Sequence, residues 1–517
     1  MQLATILARA EALYPDQIAV VDGAKRVSYR ELAARVRSLA AALEARGVGI
    51  GTRVACLEVN SLAHLETYFA CAELGAVLCP LNIRLALHEL VFIVGDAGAR
   101  VLLAGPTLAE RASELIAAAP FEHVIWLGPA PAGAVGVDYQ HALATAPRGT
   151  PAASVAPDAI AQLYYTSGTT GQPKGVMLTH ANVWLHALAT VAELGLDASD
   201  AWAHVAPMFH LADAWATFAI TWVGGRHVML AKFEEQAVFN AIERERVTIT
   251  NLIPTMLNRL VRFPGAAQRD MTSMRRILSG GAPIAPEVVR EIMRVFRCEY
   301  VQTYGMTETS PYLTLSLLKP HLATLPAEEQ FHYRAKTGRA FLAVELEVVG
   351  DDGRPVARDG RSVGEIRARG PTVTPGYWKR PEETARAFVD GWLCTGDLAT
   401  IDAEGYLQIV DRKKDMIISG GEKVYSTEVE HVLYEHPAVL EAAVFGLPDA
   451  DWGEAVCAAV ALRGGARATE RELIDFCRER LTHYKCPRRV EFHAELPKTG
   501  TAKIQKRLLR ERALHES

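Results

Sequence analysis

One short segment of the sequence concentrates residues that could bind phosphate. It reads Tyr165-Thr-Ser-Gly-Thr-Thr-Gly-Gln-Pro-Lys-Gly175, with three glycines, one lysine and four Ser or Thr hydroxyls in eleven residues. Glycine lets backbone N–H groups converge on a phosphate, hydroxyls add donors, and lysine adds a positive charge. The spacing is not that of the ATPase P-loop, because the fifth residue after Gly168 is Pro173. The phosphate-binding residues that this segment predicts are Thr166, Ser167, Gly168, Thr169, Thr170 and Lys174.

Further motifs follow this segment along the chain. They are Pro207-Met-Phe-His210, Ser279-Gly-Gly-Ala-Pro283, Tyr304-Gly-Met-Thr-Glu308, Thr395-Gly-Asp397, Asp411-Arg-Lys-Lys-Asp415, Gly420-Gly-Glu-Lys-Val424 and Pro497-Lys-Thr-Gly-Thr-Ala-Lys503. In type and order they resemble the motifs of the adenylate-forming superfamily: acyl-CoA synthetases, peptide-synthetase adenylation domains and beetle-type luciferases. The pattern is most similar to the fatty-acyl-CoA synthetases. The resemblance extends over nearly the whole chain and implies an AMP-forming acid–thiol ligase that uses ATP, Mg²⁺ and coenzyme A.

The resemblance also implies a role for each motif. Glu308, with Thr166 as its hydroxyl partner, would hold Mg²⁺ against phosphate oxygens, which suits a carboxylate. Tyr304 would stack on adenine, and Asp397 and Arg412 would contact the ribose or the phosphates. The nucleotide-binding residues implied in these later motifs are Gly281, Ala282, Pro283, Tyr304, Gly305, Met306, Thr307, Asp397, Arg412 and Lys503.

A moving C-terminal part is a further implication. In the family a mobile catalytic lysine, here Lys503, serves the first half-reaction, and a glycine loop, here Gly420 and Gly421, lines the channel for coenzyme A in the second. The hinge of the rotation corresponds to Lys414. Ser426 stands where many relatives have proline, and we expect a looser turn there, with Thr427 and Glu428 still able to cap the helix that follows.

The acyl substrate is the least determined feature. The resemblance places His210 beside the substrate carboxylate as a catalytic residue and, with Trp215, in the acyl pocket. Residues 184–221 are mainly apolar, and no Arg or Lys lies between Gly175 and Arg226, which predicts an apolar monocarboxylic (fatty) acid. Aryl-CoA ligases of the benzoate or cinnamate type and enzymes that load a carrier protein remain alternatives. A protein that binds nucleotide without turnover is disfavoured, because the motif residues are present.

Hydrophobic periodicity predicts the elements that position these residues. Leu32, Val36, Leu39 and Leu43 mark a helix over 29–46. Further helices are predicted at 61–74 and 87–98, with strands at 53–59, 76–80 and 100–104, an alternation typical of a parallel sheet. Residues 128–158 are predicted to be an irregular connection, 340–410 a β meander, and 428–435 and 470–481 helices.

The resemblance implies an α/β fold with two domains. Residues 1–411 would form a large N-terminal domain of α/β layers plus a β-barrel-like part, which binds ATP and the acyl group. Residues 412–517 would form a small, mobile α+β C-terminal domain.

Composition excludes several classes of protein. Half of the 517 residues are hydrophobic and 22% are charged, too apolar for a disordered chain, and a net charge of −5 argues against a nucleic-acid binder. Charges interrupt the apolar runs, so no transmembrane segment is predicted. Eight cysteines without a C-x-x-C pair predict reduced thiols in a cytoplasmic protein. A small-molecule carboxylic acid, ATP and coenzyme A are the expected partners, and a homodimer is compatible with the sequence.

One motif is a decoy. Gly360-Arg-Ser-Val-Gly364 matches the G-x-S-x-G pattern of a hydrolase, but that nucleophile requires a strand before it and a helix after it. The alternating residues 365–369 predict a strand after it instead. We therefore expect no serine nucleophile here.

Overall fold

The computed structural model describes residues 1–145, 152–167, 172–281, 284, 286–498 and 504–515. The chain divides into two compact units. The first unit comprises Met1–Leu346 and Ala368–Leu393, and the second comprises Glu347–Arg367 and Cys394–Ser517. The functional boundary between residues 411 and 412 stays a prediction, because the compactness of a unit does not locate a hinge.

The described residues contain twenty-six strands, and over the first three hundred residues these alternate with helices. In chain order they are β1 (Ile18–Asp22), β2 (Lys25–Ser28), β3 (Arg53–Leu57), β4 (Val77–Pro80), β5 (Val101–Ala104), β6 (His123–Trp126), β7 (Val137–Asp138), β8 (Ile160–Ser167), β9 (Pro173–Thr179), β10 (Ala201–His204), β11 (Arg226–Met229), β12 (Ile249–Asn251), β13 (Arg276–Ser279), β14 (Glu299–Gly305), β15 (Tyr312–Leu315), β16 (Arg339–Ala340), β17 (Glu345–Val349), β18 (Gly364–Arg369), β19 (Phe388–Val389), β20 (Trp392–Ile401), β21 (Leu407–Arg412), β22 (Ile417–Ser419), β23 (Glu422–Val424), β24 (Val439–Asp449), β25 (Gly453–Leu462) and β26 (Arg489–Phe492).

The helices connect and cover these strands. They are α1 (Ala4–Leu13), α2 (Tyr29–Glu44), α3 (Leu62–Leu74), α4 (Leu87–Ala97), α5 (Ala109–Ala118), α6 (Tyr139–Ala144), α7 (His180–Leu194), α8 (Leu211–Val223), α9 (Glu235–Glu245), α10 (Pro254–Val261), α11 (Pro286–Phe296), α12 (Ala327–Arg334), α13 (Pro381–Ala387), α14 (Ser426–Glu435), α15 (Glu470–Arg478) and α16 (Lys506–His515). Within the described ranges, none of the helices is both long enough and apolar enough to cross a membrane.

The first unit is built on two mainly parallel sheets. One has the strand order β7-β6-β5-β3-β4-β8-β9, and the other has the order β16-β15-β14-β13-β12-β10-β11-β1-β2. The largest core, which contains residues of α2, α3, α7 and α8, takes side chains from one face of each sheet. Helices α4 and α5 cover the other face of the first sheet, and α9, α10 and α11 cover the other face of the second. The predicted α/β fold class is confirmed by these layers.

Local sequence signals explain where the early elements begin and end. Helix α2 begins after Ser28, whose hydroxyl accepts from the backbone N–H of Glu31 while the Glu31 carboxylate accepts from the N–H of Ser28. This reciprocal pair is a capping box. The predicted helices and strands of residues 29–104 are confirmed within about three residues at each end.

The prediction of an irregular connection over residues 128–158 was wrong in part. It contains β7 and the short helix α6. The carboxylate of Asp138 accepts from the backbone N–H groups of Gln140 and His141, and Tyr139 and Ala142 are buried in the main core. The N-cap aspartate was the only sequence signal for this helix, and the prolines and glycines around it favoured an irregular connection instead.

The second unit shows the alternation expected of a two-sided sheet. Its sheet has the order β23-β22-β25-β24, with β26 beside β25. Val444 and Val456 pack on the face covered by α14 and α15, while Phe445 and Cys457 pack on the face covered by α16. A further, five-stranded sheet has the order β17-β18-β20-β19, with β21 beside β20.

Candidate active site

The phosphate-binding segment is the tip of a β-hairpin. Strands β8 and β9 pair antiparallel, with Thr166 opposite Lys174 and Tyr165 opposite Gly175. The predicted residues Gly168, Thr169 and Thr170 lie outside the described residues, as does Gly171 of the same segment. The hairpin therefore fixes Thr166 and Lys174 at the base of the loop, on adjacent strands.

Lys174 has two partners from one segment far along the chain. Its ammonium forms an ion pair with the carboxylate of Glu383. It also lies 5.4 Å from the centre of the Tyr377 ring. A cation over an aromatic face is attracted by the ring quadrupole. Lys174 is thus held in place by side chains rather than extended into solvent.

Glu308 lies in a 3₁₀ turn directly after β14 and is 6% exposed. The Tyr377 hydroxyl donates to Glu308 Oε1 at 2.9 Å, and the Thr374 backbone N–H donates to the Glu308 carbonyl at 2.7 Å. Burial, and then the charge of Glu308, raise the pKa of Tyr377, so its hydroxyl keeps its proton at neutral pH. A protonated phenol next to a carboxylate is a donor, and it orients the carboxylate.

The donor set at Glu308 fits Mg²⁺ that arrives with a nucleotide. No group of three or more His, Cys, Asp or Glu residues in the described ranges could hold a metal ion by itself. Mg²⁺ is usually bound by one or two carboxylates together with substrate phosphates and water. A single oriented carboxylate is sufficient for that mode of binding.

The predicted adenine-binding residues meet at one edge of a sheet. Strands β13 and β14 are parallel neighbours, so Gly281 and Tyr304 both lie at their carboxyl ends, where ligands bind in open α/β sheets. A Cβ on Gly305 would come within 1.8 Å of the Pro311 carbonyl oxygen, so only glycine fits there. Met306 and Thr307 lead from Gly305 into the turn that carries Glu308. Ala282 and Pro283 lie outside the described residues.

The acyl-pocket residues of the sequence prediction lie on helix α8. His210 is its N-cap residue, and Trp215 is 1% exposed. The Trp215 ring packs edge-on against Trp202 and Tyr312. Burial lowers the pKa of the nearby His186 to about 3, so this imidazole is neutral at physiological pH. Trp215 is therefore part of an apolar aromatic cluster.

The buried Asp213 has a structural role. Its carboxylate accepts from Trp202 Nε1 at 3.2 Å and lies 2.5 Å from His204 Nδ1. His204 Nε2 lies 2.9 Å from His227 Nδ1, and all these side chains are buried. The network joins α8 to β10 and β11, and a carboxylate satisfies two donors that point at it.

In the second unit, the structure brings Asp397 and Arg412 together. They lie opposite each other on β20 and β21, with Arg412 Nε 3.3 Å from Asp397 Oδ1. Asp397 is 8% exposed, whereas Arg412 is exposed. Lys414 lies in the turn that follows, where the backbone N–H of Asp415 donates to the Arg412 carbonyl at 2.9 Å. The hinge residue of the prediction is thus in a turn between two strands.

Gly420 and Gly421 form the turn between β22 and β23, with φ of +60° and +84°. A Cβ on Gly420 would meet the Trp452 ring at 2.8 Å, whereas a Cβ on Gly421 would have no heavy atom within 4 Å. Both glycines adopt a conformation that residues with a Cβ rarely adopt. Both glycines are exposed, but only Gly421 has space around it for an added side chain.

The expected loosening at Ser426 is not what the structure shows. The Ser426 backbone N–H donates to Asp411 Oδ2 at 2.5 Å and its hydroxyl donates to Asp411 Oδ1 at 3.0 Å. Proline has no N–H to donate, so serine adds a bond here. The expected capping was wrong for Thr427, which donates to the Val410 carbonyl, whereas Glu428 lies in the first turn of α14, where a negative charge is favourable.

Two other predictions have different outcomes. The rejection of a serine nucleophile is confirmed, because strand β18 follows the decoy motif and the exposed Ser362 hydroxyl donates to Asp359 at 2.9 Å. Lys503, the predicted catalytic lysine, lies outside the described residues, and its role stays a prediction.

Sequence reasoning missed Tyr377 and Glu383. Both belong to the string Gly376-Tyr-Trp-Lys-Arg-Pro-Glu-Glu383, in which aromatic and charged side chains precede a helix that begins with proline. That density of aromatic and charged residues was the available signal. Their contacts with Glu308 and Lys174 cross 69 and more residues of sequence, which no local pattern encodes.

Comparison with known proteins identifies the family of this chain. A family model described as AMP-binding enzyme matches residues 7–378, and one described as AMP-binding enzyme C-terminal domain matches residues 428–503. Among curated relatives, a feruloyl-CoA synthase from an Amycolatopsis species is 39% identical over 505 residues, covering 98% of this chain and 97% of that protein. A long-chain-fatty-acid–CoA ligase from Mycobacterium tuberculosis is 36% identical over 488 residues, covering 94% and 93%.

Solved structures give the same result. The o-succinylbenzoate CoA synthetase of Bacillus subtilis, in complex with ATP and a magnesium ion, has a TM-score of 0.83 and 31% identity, covering 98% of both chains. The same enzyme in complex with its acyl-adenylate intermediate has a TM-score of 0.85 and 31% identity, covering 98% of this chain and 97% of that one.

Proposed function

Because the chain belongs to the AMP-binding enzyme family, we propose that this ATP-dependent ligase of the acyl- or aryl-CoA class activates an apolar monocarboxylic acid, with a fatty acid as the first candidate, and transfers the acyl group to coenzyme A. The resemblance of the sequence to the adenylate-forming superfamily is thereby confirmed. ATP, Mg²⁺ and coenzyme A are the cofactor and co-substrates of this chemistry.

The reaction has two half-reactions. A carboxylate oxygen forms a bond to the α-phosphorus of ATP, the bond from that phosphorus to the β-phosphate oxygen breaks, and pyrophosphate leaves. The thiol sulfur of coenzyme A, having lost its proton, then forms a bond to the acyl carbon, and AMP leaves with the oxygen that joined them. Mg²⁺ supplies charge neutralisation for the phosphates. Positioning and fixed charge carry the first step.

The residues on the chain divide between these tasks. Thr166, Lys174 and Glu308 bind the phosphates and their metal ion, while Asp397 and Arg412 bind the ribose. Lys503 assists adenylation, Gly420 and Gly421 line the thiol channel, and Lys414 is the hinge. Support for this division comes from the contacts of Lys174 and Glu308 in the first unit and from the Asp397–Arg412 pair in the second.

One observation carries the substrate class. From β9 to β11, a stretch that includes α7 and α8, no Arg or Lys lies between Gly175 and Arg226. The carboxylate of Asp213 in this region is already satisfied by Trp202 and His204. A second carboxylate or an amino group on the substrate would therefore be buried without a charged partner, which is costly. Each buried methylene of an alkyl chain instead contributes about 0.8 kcal/mol.

An aromatic acid is the second candidate. The rings of His186, Trp215, Tyr312 and Phe341 form one cluster with centroid separations of 5.2–5.9 Å. Such rings favour edge or offset contacts with another aromatic ring. The feruloyl-CoA synthase relative is consistent with this alternative.

The test is pyrophosphate release from ATP over a panel of acids, with and without coenzyme A. The panel runs from acetate to palmitate and includes benzoate, cinnamate and ferulate. We expect kcat/KM to rise roughly fourfold per methylene until the pocket is full. A flat alkyl series with a preferred aromatic acid would overturn the fatty-acid assignment. Turnover with a carrier protein but not with coenzyme A would favour the carrier-loading alternative.

The location and assembly of the protein stay predictions. All eight cysteines are free, and six of them are buried, as expected of a cytoplasmic protein. Size-exclusion chromatography with light scattering would decide between a monomer and a homodimer.

A further inference from the structure

The segment from Thr374 to Arg380, which we call the brace, lies beside the proposed phosphate site and has no role in the function proposed above. Its backbone runs antiparallel to β9: the Met177 N–H donates to the Gly376 carbonyl at 3.1 Å, and the Trp378 N–H donates to the Gly175 carbonyl at 2.8 Å. The Thr374 N–H bonds the Glu308 carbonyl at the same time. One short segment therefore ties the hairpin of Lys174 to the turn of Glu308.

Tyr377 lies at the centre of this brace and touches the functional group of each partner. Its hydroxyl donates to Glu308 Oε1 at 2.9 Å, and its ring centre lies 5.4 Å from Lys174 Nζ. We propose that Tyr377 is a positioning residue that holds the Glu308 carboxylate and the Lys174 ammonium in the positions that a metal–nucleotide complex requires. This inference rests on the proposed function, which makes Glu308 the metal ligand.

The physical reason is the freedom of a glutamate side chain. A carboxylate can rotate about its terminal bond, and a hydrogen bond from the Tyr377 hydroxyl to Glu308 Oε1 restricts that rotation. A carboxylate held in one orientation suits the strict geometry that Mg²⁺ demands. Groups that orient a metal ligand in this way typically contribute 10–100-fold to metal affinity.

The aromatic ring has a separate effect from the hydroxyl. The face of the ring attracts the Lys174 ammonium, and the Glu383 carboxylate pairs with the same ammonium. Tyr377→Phe removes the hydroxyl and keeps the ring, whereas Tyr377→Leu removes both. The two variants thus separate the metal-binding effect from the phosphate-binding effect.

The chain supplies a matched control. Tyr139, in helix α6, also donates its hydroxyl to a buried glutamate, Glu66, and burial raises its pKa as it does for Tyr377. Tyr139 belongs to the main core and has no place in the proposed site. Tyr139→Phe therefore reports the general cost of losing such a hydrogen bond.

The experiment measures Mn²⁺ binding by electron paramagnetic resonance in the presence of a non-hydrolysable ATP analogue, alongside AMP affinity without metal. We expect Tyr377→Phe to weaken Mn²⁺ binding about tenfold with AMP affinity unchanged. Tyr377→Leu should also weaken binding of the triphosphate analogue, and Tyr139→Phe should match the wild type. Wild-type Mn²⁺ affinity in Tyr377→Phe, or an equal loss in Tyr139→Phe, would overturn the inference.

A second readout separates this inference from the proposed function. The Mg²⁺ concentration for half-maximal ATP–pyrophosphate exchange should rise about tenfold in Tyr377→Phe. If the wild type binds Mn²⁺ with the analogue but shows no acid-dependent exchange, the proposed function fails. If the wild type exchanges and Tyr377→Phe has an unchanged Mg²⁺ requirement, the role of Tyr377 fails.

Discussion

The proposed groups of the first unit and those of the second are held by different means. In the first unit, Lys174 and Glu308 are fixed by side chains of a segment distant in sequence, Tyr377 and Glu383. In the second unit, Asp397 and Arg412 are paired by neighbouring strands, and the glycine pair occupies a tight turn. Tertiary contacts therefore fix the positions of the first group of residues, and strand pairing and a tight turn fix those of the second.

This difference matches the chemistry proposed for each. Neutralising a triphosphate benefits from charges that are already oriented before the substrate binds, because no reorganisation is then required. A turn that contributes backbone alone, such as the glycine pair, can serve one half-reaction without fixed charges. Variants should therefore affect the two half-reactions separately.

The largest expected effect comes from Lys503→Ala. Loss of a donor at the reacting phosphate typically costs about 10²–10³ in rate, and we expect that loss in acyl-AMP formation. The rate from pre-formed acyl-AMP to acyl-CoA should be retained. Rapid-quench assays of each half-reaction measure this, and equal losses in both would break the division of labour.

Gly421→Leu should do the reverse. The added side chain obstructs the thiol channel, and we expect acyl-CoA formation to fall about 10–10²-fold while ATP–pyrophosphate exchange continues. Gly421→Ala is the matched control, because it carries the same backbone strain at φ +84° without the bulk. If exchange falls as far as the overall reaction, the glycine turn is not a channel wall.

Asp397→Asn tests the strand-paired group. Replacing a charged acceptor by a neutral one weakens its hydrogen bonds to the ribose hydroxyls, and we expect the KM for ATP to rise about tenfold. Asp402→Asn, at the far end of the same β20–β21 hairpin, should leave the KM unchanged. A change in kcat alone would place Asp397 in a different role.

The last prediction concerns stability rather than catalysis and compares a buried carboxyl in each unit. Burial raises the pKa of both carboxyls: that of Asp411, which is bonded by Ser426, and that of Glu58 in the first unit, which reaches about 7. The folded state therefore favours the protonated form of Glu58. Its contribution is fully present below about pH 4.5 and is lost as the pH rises through 7.

Glu58→Gln stays neutral at every pH and should avoid that loss. We expect the variant to gain about 3 kcal/mol relative to the wild type between pH 5 and pH 8. Urea unfolding at the two pH values measures the difference. A variant that is equally stable relative to the wild type at both values would show that Glu58 titrates normally.

Much of the fold follows from the sequence, because the elements of the first hundred residues carry strong periodicity of their own. Helix α2 has its apolar stripe and its capping box in one stretch of sequence. The motifs also identified the residues of the phosphate segment and both Asp397 and Arg412, but the strand pairing that places Asp397 opposite Arg412 was not predicted. Helix α6 was not, because its stability comes from one cap and two core contacts rather than from a long stripe.

The brace of the site could not be predicted. The contact between Tyr377 and Glu308 depends on a segment that adds to β9 after nearly two hundred residues of intervening chain. The role of Ser426 could not be predicted either, because its hydroxyl bonds to Asp411, which lies fifteen residues earlier in the chain. Motifs identify the groups that act, and packing determines the groups that orient them.

The most direct test of the central claim follows an oxygen atom. The preferred acid, labelled with ¹⁸O in both carboxylate oxygens, is converted with ATP and coenzyme A, and the products are analysed by mass spectrometry. Attack of the carboxylate on the α-phosphorus predicts AMP with one ¹⁸O, acyl-CoA with the other and unlabelled pyrophosphate. Labelled orthophosphate together with ADP, or AMP without label, would contradict an acyl-adenylate intermediate.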